Sequence, residues 1–388
     1  MNMDQPFEER QRTDAERVRV GITQGDMNGI GYEIIMKAFL DPRMLENITP
    51  VIFGSSKVAS YHKKTLNMNE FNLNLVKNAA SAIPKRVNIV NITHEEVKID
   101  LGKSTEIAGQ LAFQSLEMAC QELSQKNIDV LVTAPINKKN MQSASFKFPG
   151  HSEYFTDKFN AKDHLMLMVN DQLRVGVITG HIPLREVPVV INTSLIYRKI
   201  ELLNRSLIRD FGIRKPKIAL LGLNPHAGDL GVLGNEEAEI ISPAVEQAWN
   251  KGMIVYGPYS ADGFFGSDNF FKFDGILAMY HDQGLIPFKA LSFDKGVNFT
   301  AGLPIIRTSP AHGTAYEITG QNIASANSFR EAVHLAVQIY NHRSEYDELN
   351  SKPLQNFLKE IEQSSDAVIE KEIPPSREEE INGNIIVG

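Results

Sequence analysis

Three histidines stand where chemistry is done. His181 lies in TGHIPLRE, His226 in LGLNPHAGD and His281 in AMYHDQG, each just past a short apolar run and among Gly, Pro, Asn or Asp. In a parallel sheet that place is the carboxyl end of a strand, where open α/β folds put their sites. Imidazoles from three strand ends can gather on a divalent metal and leave one coordination position for a substrate. A lone loop histidine is more often a surface or hydrogen-bonded residue, so the metal reading rests on the recurrence. Asp262 in ADGFFG and Asp282 beside His281 serve equally as proton acceptors, outer carboxylates or turn residues. His62, His94, His334 and His342 read as ordinary residues of polar stretches or helices.

A second group suits an anion. FKALSFDKGVNFTAGLPIIRTS offers Lys289, Asn298 and Arg307 in one glycine-punctuated stretch, and PGHSEYF adds His151 and Ser152 before a helix. Lys gives a mobile charge, Asn an amide donor, and Arg a fork matched to phosphate or carboxylate oxygens. The loop from Gly25 to Gly31, GDMNGIG, lacks both the GxGxxG spacing and a following GK[ST], so neither a dinucleotide fingerprint nor a P-loop is supported. It reads first as a tight strand-to-helix turn, and only second as an anion cradle.

These residues need strands and helices to hold them. From Arg17 the chain reads strand, glycine turn, helix, as VRVGIT, QGDMNGIG and YEIIMKAFL. Further strands are expected at Pro50–Phe53, Val87–Asn91, Asp129–Thr133, Leu165–Val169, Arg174–Thr179, Lys217–Gly222, Met253–Tyr256 and Gly275–Met279. Several are unbroken apolar runs, as strands covered on both faces require. Amphipathic helices are expected at Glu106–Leu123, Leu195–Phe211, Glu236–Asn250 and Phe329–Asn341. The alternation predicts a mainly parallel α/β sheet.

With 388 residues the chain can form about two domains. A net charge of −7 without a basic stripe argues against nucleic acid as a partner. The charged first twenty residues are no signal peptide, and no stretch is apolar enough to span a membrane. The single cysteine, Cys120, falls on a helical apolar face and reads as a small core residue; a chain without disulfides suits the cytoplasm. Residues 1–16 read as a polar leader, and the acidic, proline-broken stretch after about Ser344 as a peripheral extension in which Leu354–Ile361 could form a short helix.

Taken together, GITQGDMNGIG, VTAPINK, FPGHSEYF, TGHIPLRE, GLNPHAGD, AMYHDQG, GVNFTAGLPIIRTS and HGTAYE resemble the 4-hydroxythreonine-4-phosphate dehydrogenase family of pyridoxine biosynthesis, in the family's order from about Val18 to about His342. The resemblance implies an NAD-dependent, metal-dependent enzyme that oxidises 4-phosphooxy-L-threonine to a β-keto acid, which loses carbon dioxide to give 3-amino-2-oxopropyl phosphate. NADP is the alternative cofactor, and zinc the expected metal with magnesium or cobalt as alternatives. By resemblance His181, His226 and His281 are metal ligands, His151, Ser152, Lys289, Asn298 and Arg307 contact substrate, and His312 of HGTAYE contacts the adenine. Asp262 is the candidate accessory catalytic carboxylate. The family shares its metal site between subunits, so a homodimer is implied. Two departures stand in the motifs: the family usually carries proline and alanine in the glycine loop, and threonine is common where Ser152 stands.

The implied fold is α/β, isocitrate/isopropylmalate dehydrogenase-like, with two α/β/α domains and a cleft between them; such a fold binds NAD without GxGxxG. Its interleaved topology predicts a first domain from residues 17–135 plus 300–345, a second from 136–299 with the metal ligands and dimer interface, and an acidic extension over 346–388. Rival readings are a paralogous dehydrogenase for 4-phospho-erythronate or 4-phospho-threonate, a metal-dependent hydrolase using the three histidines to activate water, and a non-catalytic metabolite-binding protein.

Overall fold

The computed structural model describes residues 17–142, 146–148 and 150–351. The leader at 1–16 and the short helix read at 354–361 lie outside the described residues, as does most of the acidic extension. The chain divides into two units, Met1–Arg343 and Ser344–Gly388, and the sheet and the site belong to the first.

Twelve strands form one sheet: β1 (Val18–Thr23), β2 (Ile48–Gly54), β3 (Asn74–Val76), β4 (Asn88–Asn91), β5 (Val130–Thr133), β6 (Leu165–Val169), β7 (Arg174–Thr179), β8 (Lys217–Leu221), β9 (Ile254–Tyr259), β10 (Gly275–Tyr280), β11 (Val297–Ala301) and β12 (Arg307–Pro310). The helices are α1 (Gly31–Phe39), α2 (Ser56–Thr65), α3 (Glu106–Ser124), α4 (Lys138–Met141), α5 (His151–Lys158), α6 (Val187–Val190), α7 (Thr193–Arg209), α8 (Ser242–Asn250), α9 (Ala261–Phe265), α10 (His281–Ser292) and α11 (Asn327–Asn350).

The strand order is β3-β4-β2-β1-β5-β12-β11-β6-β7-β10-β8-β9. From β3 to β12 every pairing is parallel, and so is every pairing from β7 to β9. The two parallel runs point in opposite directions, because β11 is antiparallel to β12 and β6 is antiparallel to both β11 and β7. The mainly parallel α/β expectation therefore holds at both ends and breaks at the centre. β2 and β6 are buried at every position, as their largely apolar sequences require.

Helix signals act where the sequence places them. Thr105 caps α3 by accepting from the Ala108 amide, and Asn192 caps α7 by accepting from the Leu195 amide. Buried Ile196, Ile200, Leu203 and Leu207 make one stripe along α7, against the strands at and beside the antiparallel centre. Gly109 of α3 is the point of closest approach to α4: a Cβ there would lie 2.0 Å from the Asn140 carbonyl oxygen. Only glycine lets α4 settle so close.

Candidate active site

The antiparallel centre is where side chains with chemistry meet. Arg307 opens β12 and is 2 % exposed. Its Nε and Nη2 donate to Thr133 Oγ1 at the end of β5 (3.0 and 2.6 Å), Nη1 donates to Thr300 Oγ1 on β11 (3.3 Å), and Nη2 donates to His151 Nδ1 (2.9 Å). Every partner is neutral, and among the described residues no carboxylate lies within 4.0 Å of the guanidinium. Burial pushes its pKa down to about 9, with Glu153 opposing. A buried cation without a counter-ion is costly unless something negative arrives.

The end of α5 that faces this arginine is built for an anion. Gly150 takes the cap position in extended conformation, and no side chain caps the helix. Free first-turn amides attract anions. Ser152 Oγ lies 3.2 Å from Thr300 Oγ1. His151 is held neutral, its pKa well below 6.5, by burial first and by Arg307 and Lys138 second. With Nδ1 accepting from Arg307, its Nε2 carries the proton.

Around these groups lies a cavity of about 310 Å³. His281, Leu285 and Lys289 all line it, at the i, i+4, i+8 spacing of one face of α10. Asn298 on β11 pairs with Met168 on β6, and both face the cavity. Among the described residues, three lining atoms are buried without a hydrogen-bond partner: Asn298 Oδ1, Glu153 Oε2 and His312 Nε2. Orphaned polar atoms in a native cavity point to a polar ligand.

Two of the three expected imidazoles stand in this cavity, with ring centroids 5.7 Å apart. His181 follows β7, its Nδ1 3.7 Å from Glu153 Oε1 and its Nε2 3.4 Å from Lys138 Nζ. That imidazole holds the Glu153 carboxyl down at about 2. His281 opens α10 with Nδ1 2.7 Å from Asp282 Oδ1, so Nε2 is left free to ligate. His226 follows β8, the strand next to β10, so the three imidazoles come from neighbouring strand ends. It does not line the cavity. It sits exposed on a loop in which His226, Ala227, Gly228, Asp229 and Leu230 all have positive φ, and Asp262, whose pKa Ser260 chiefly holds down, lies within its electrostatic reach. Left-handed backbone at non-glycine residues costs roughly 1 kcal/mol each. The buried Glu237 carboxylate anchors the base of this loop, accepting from the amides of Leu223 and Asn224 (both 2.7 Å) and from Asn224 Nδ2 (3.0 Å). Strain supported in this way is typical of functional loops.

With this geometry in view, comparison with known proteins is decisive. The sequence profile of pyridoxal phosphate biosynthetic protein PdxA matches residues 46–336. A 4-hydroxythreonine-4-phosphate dehydrogenase of Bacteroides thetaiotaomicron is 50 % identical over 351 residues, covering 90 % of this chain and 96 % of the relative. The chain belongs to the PdxA family. The enzyme of the same name from a Sulfurihydrogenibium species is 42 % identical over 320 residues, 82 % of this chain and 98 % of its own. The crystal structure of a Klebsiella pneumoniae 4-hydroxythreonine-4-phosphate dehydrogenase superposes with a TM-score of 0.70 at 34 % identity, covering 83 % of this chain and 99 % of that one. The family is one of dehydrogenases, and the expected membership and α/β fold hold.

Of the site residues expected for such a member, His151, Ser152, Lys289, Asn298, Arg307, His181, His281 and His312 all line one cavity. His312 thus shares this cavity with the expected substrate contacts; burial lowers its pKa and its Nδ1 bonds to the Gly313 carbonyl (3.1 Å). Asp262 is exposed on α9, where Ser260 holds its pKa down. Among the described residues no three His, Cys, Asp or Glu side chains stand close enough to hold a metal ion within this single chain. The donor set itself fits a divalent cation, since His281 already has its carboxylate on Nδ1 and His226 is presented to the outside.

The glycine loop is the structural turn. Asp26 fills it, its carboxylate accepting from the Asn28 amide (2.9 Å), Asn140 Nδ2 (2.8 Å) and Tyr316 OH (2.7 Å). Cys120 is fully buried, and burial raises its thiol to about 12. Four residues that shape the site had no place in the sequence reading: Thr133, Thr300, Lys138 and Glu153. Glu153 stood one residue from Ser152 in GHSEYF, and Lys138 closed VTAPINK, so adjacency to motif residues was their only signal.

Proposed function

We propose that the chain oxidises 4-phosphooxy-L-threonine with NAD, the β-keto acid then losing carbon dioxide to give 3-amino-2-oxopropyl phosphate. The observation that carries this reading is Arg307, a buried guanidinium with only neutral partners, set against uncapped α5 in the same cavity as the paired imidazoles. Arg307, Ser152, His151, Lys289 and Asn298 bind and orient the phosphate end, which fixes the reacting carbon against His181 and His281. His151, held neutral, donates from Nε2 without adding charge. His181, His226 and His281 hold a divalent metal, with zinc the best match to three imidazoles. A divalent metal held by these imidazoles would supply Lewis-acid stabilisation of negative charge on the substrate oxygen, and NAD would supply the hydride acceptor. His312 offers its free Nε2 to the nucleotide. Asp262, exposed and held acidic, orients His226 in this scheme and is a poor proton acceptor.

A second copy of the chain completes the site. Each segment after an imidazole exposes apolar side chains, Leu184 and Val189 after His181, Leu230 and Val232 after His226, Ile286 and Phe293 after His281. Apolar exposure of this kind marks an interface, and a homodimer would bring His226 of one copy to the cavity of the other. No helix among the described residues is long and apolar enough to cross a membrane, and we assign the enzyme to the cytoplasm.

The test is formation of NADH by the purified chain with 4-phosphooxy-L-threonine and zinc, before and after chelation, with the molar mass measured alongside. Metal-dependent turnover by a dimer supports the reading. Absence of NAD or NADP reduction with zinc, magnesium or cobalt overturns it.

A further inference from the structure

Among the described residues that line the cavity, Lys138 is the one cation to which the proposed chemistry gives no task. It opens α4, whose backbone is fixed from three sides. Asn137 caps it by accepting from the Lys139 and Asn140 amides, Asn140 is tied to buried Asp26, and Gly109 lets α3 press against it. The base of the side chain is therefore held while its head stands in the cavity. Among the described residues no acid lies within 4.0 Å of Nζ; its polar contact is His181 Nε2 at 3.4 Å. The same head lies close to the α5 cap, 3.7 Å from where a Cβ on Gly150 would stand. Lys138 thus sits between the imidazole pair and the start of the anion-binding helix.

We propose that Lys138 binds the substrate's carboxylate and so selects phosphorylated acids over phosphorylated alcohols or amines. The proposal rests on the reading of the cavity as a site for a phosphorylated hydroxy-amino acid. Such a substrate carries two anionic ends, and the cavity has cations to match them. Arg307 is enclosed by Thr133, Thr300 and His151 at the phosphate end, and Lys289 is two turns along α10 from His281. Lys138 alone stands beside His181, next to the carbon whose oxidation precedes loss of the carboxylate. A mobile ammonium suits that role better than a guanidinium, because the group it binds departs.

O-phosphoserine and phosphoethanolamine differ only by a carboxylate, so they isolate the contact. Calorimetric titration of the full-length chain should give tighter binding of O-phosphoserine than of phosphoethanolamine. In Lys138→Met that preference should fall about tenfold, with phosphoethanolamine and inorganic phosphate bound as before, and Lys138→Arg should restore part of it. With the full substrate, KM should rise more than kcat falls. Equal weakening of all three probes would make Lys138 a phosphate ligand, and unchanged preference would leave it without this role; either result overturns the proposal. If Lys138→Met loses its fold, Lys138→Gln carries the same comparison. Should the wild-type chain bind none of the three probes, it is the phosphate reading of the cavity that fails, which separates the two ideas.

Discussion

Arg307→Met asks whether the buried guanidinium is there for the fold or for a ligand. Taking that group from its ordinary 12.5 to about 9 corresponds to roughly 5 kcal/mol of disfavoured charge in the ligand-free protein. Its four hydrogen bonds, to Thr133 twice, Thr300 and His151, return about 1 kcal/mol each. The terms nearly cancel, and methionine has a similar length and the flexibility to fill the space. The free variant should therefore unfold within about 2 kcal/mol of the wild type in urea. Binding is another matter, because removing one partner of a desolvated charge pair costs about 2–5 kcal/mol. The rise in Tm that saturating phosphate gives the wild type should vanish, and KM for the phosphorylated substrate should rise at least thirtyfold. A variant that loses several kcal/mol of stability yet keeps its phosphate-induced Tm rise would refute the reasoning, since Arg307 would then be a structural residue.

Other consequences can be checked with equally simple measurements. His226→Ala should leave Tm unchanged, because the side chain is exposed, while bound zinc and turnover are lost; wild-type turnover would remove His226 from the metal set. Glu237→Ala should destabilise the chain by about 2–4 kcal/mol by freeing three donors and releasing the left-handed loop. It should also lower metal affinity, and unchanged urea midpoint and metal content would contradict the anchoring role. His62, His151, His164 and His312 all have pKa values below 6.5, with burial the first cause. Below 6.5 the unfolded chain takes up protons that the folded chain refuses, so stability falls as pH drops, by roughly 1.4 kcal/mol per pH unit for each histidine at most. A urea midpoint that stays constant from about pH 7 to about pH 5.5 would show that these rings are not buried neutral. Cys120, with its thiol raised to about 12, should resist a thiol reagent at pH 8 until the chain unfolds; fast reaction with the native chain would refute its burial.

Strands and long helices could be read from the chain where their burial is uniform or strictly periodic. The expected ranges for β6 and β7 match the structure to the residue, and α3 and α7 lie within about two residues of theirs. Three strands escaped that reading. β3 has three residues and no fully buried position. β11 and β12 carry Asn298, Thr300 and Arg307, polar side chains that break the apolar run because they line or back the cavity. The same polarity that marked this stretch as an anion site hid its strands. α10 was missed for a related reason, since it begins on a histidine and carries Pro287 within it.

The charged residues of the cavity were legible only in part, since Lys138 and Glu153 carried no signal of their own, and the residues that orient them were not legible at all. Arg307 announces itself by type, but Thr133 and Thr300, which receive three of its four hydrogen bonds, are unremarkable threonines until β5, β12 and β11 lie side by side. His226 shows the limit from the other direction. Its sequence context is the same as that of His181 and His281, and its strand is the neighbour of β10, so every local signal predicted convergence. What separates it is the run of five left-handed residues that turns it outward, a geometry that hydrophobic periodicity does not encode and that only Gly228 and the asparagine of NPHAGD hint at. That run of strained backbone, anchored by the buried Glu237 carboxylate, presents the imidazole away from its own chain's cavity, which is the geometry the proposed dimeric site calls for.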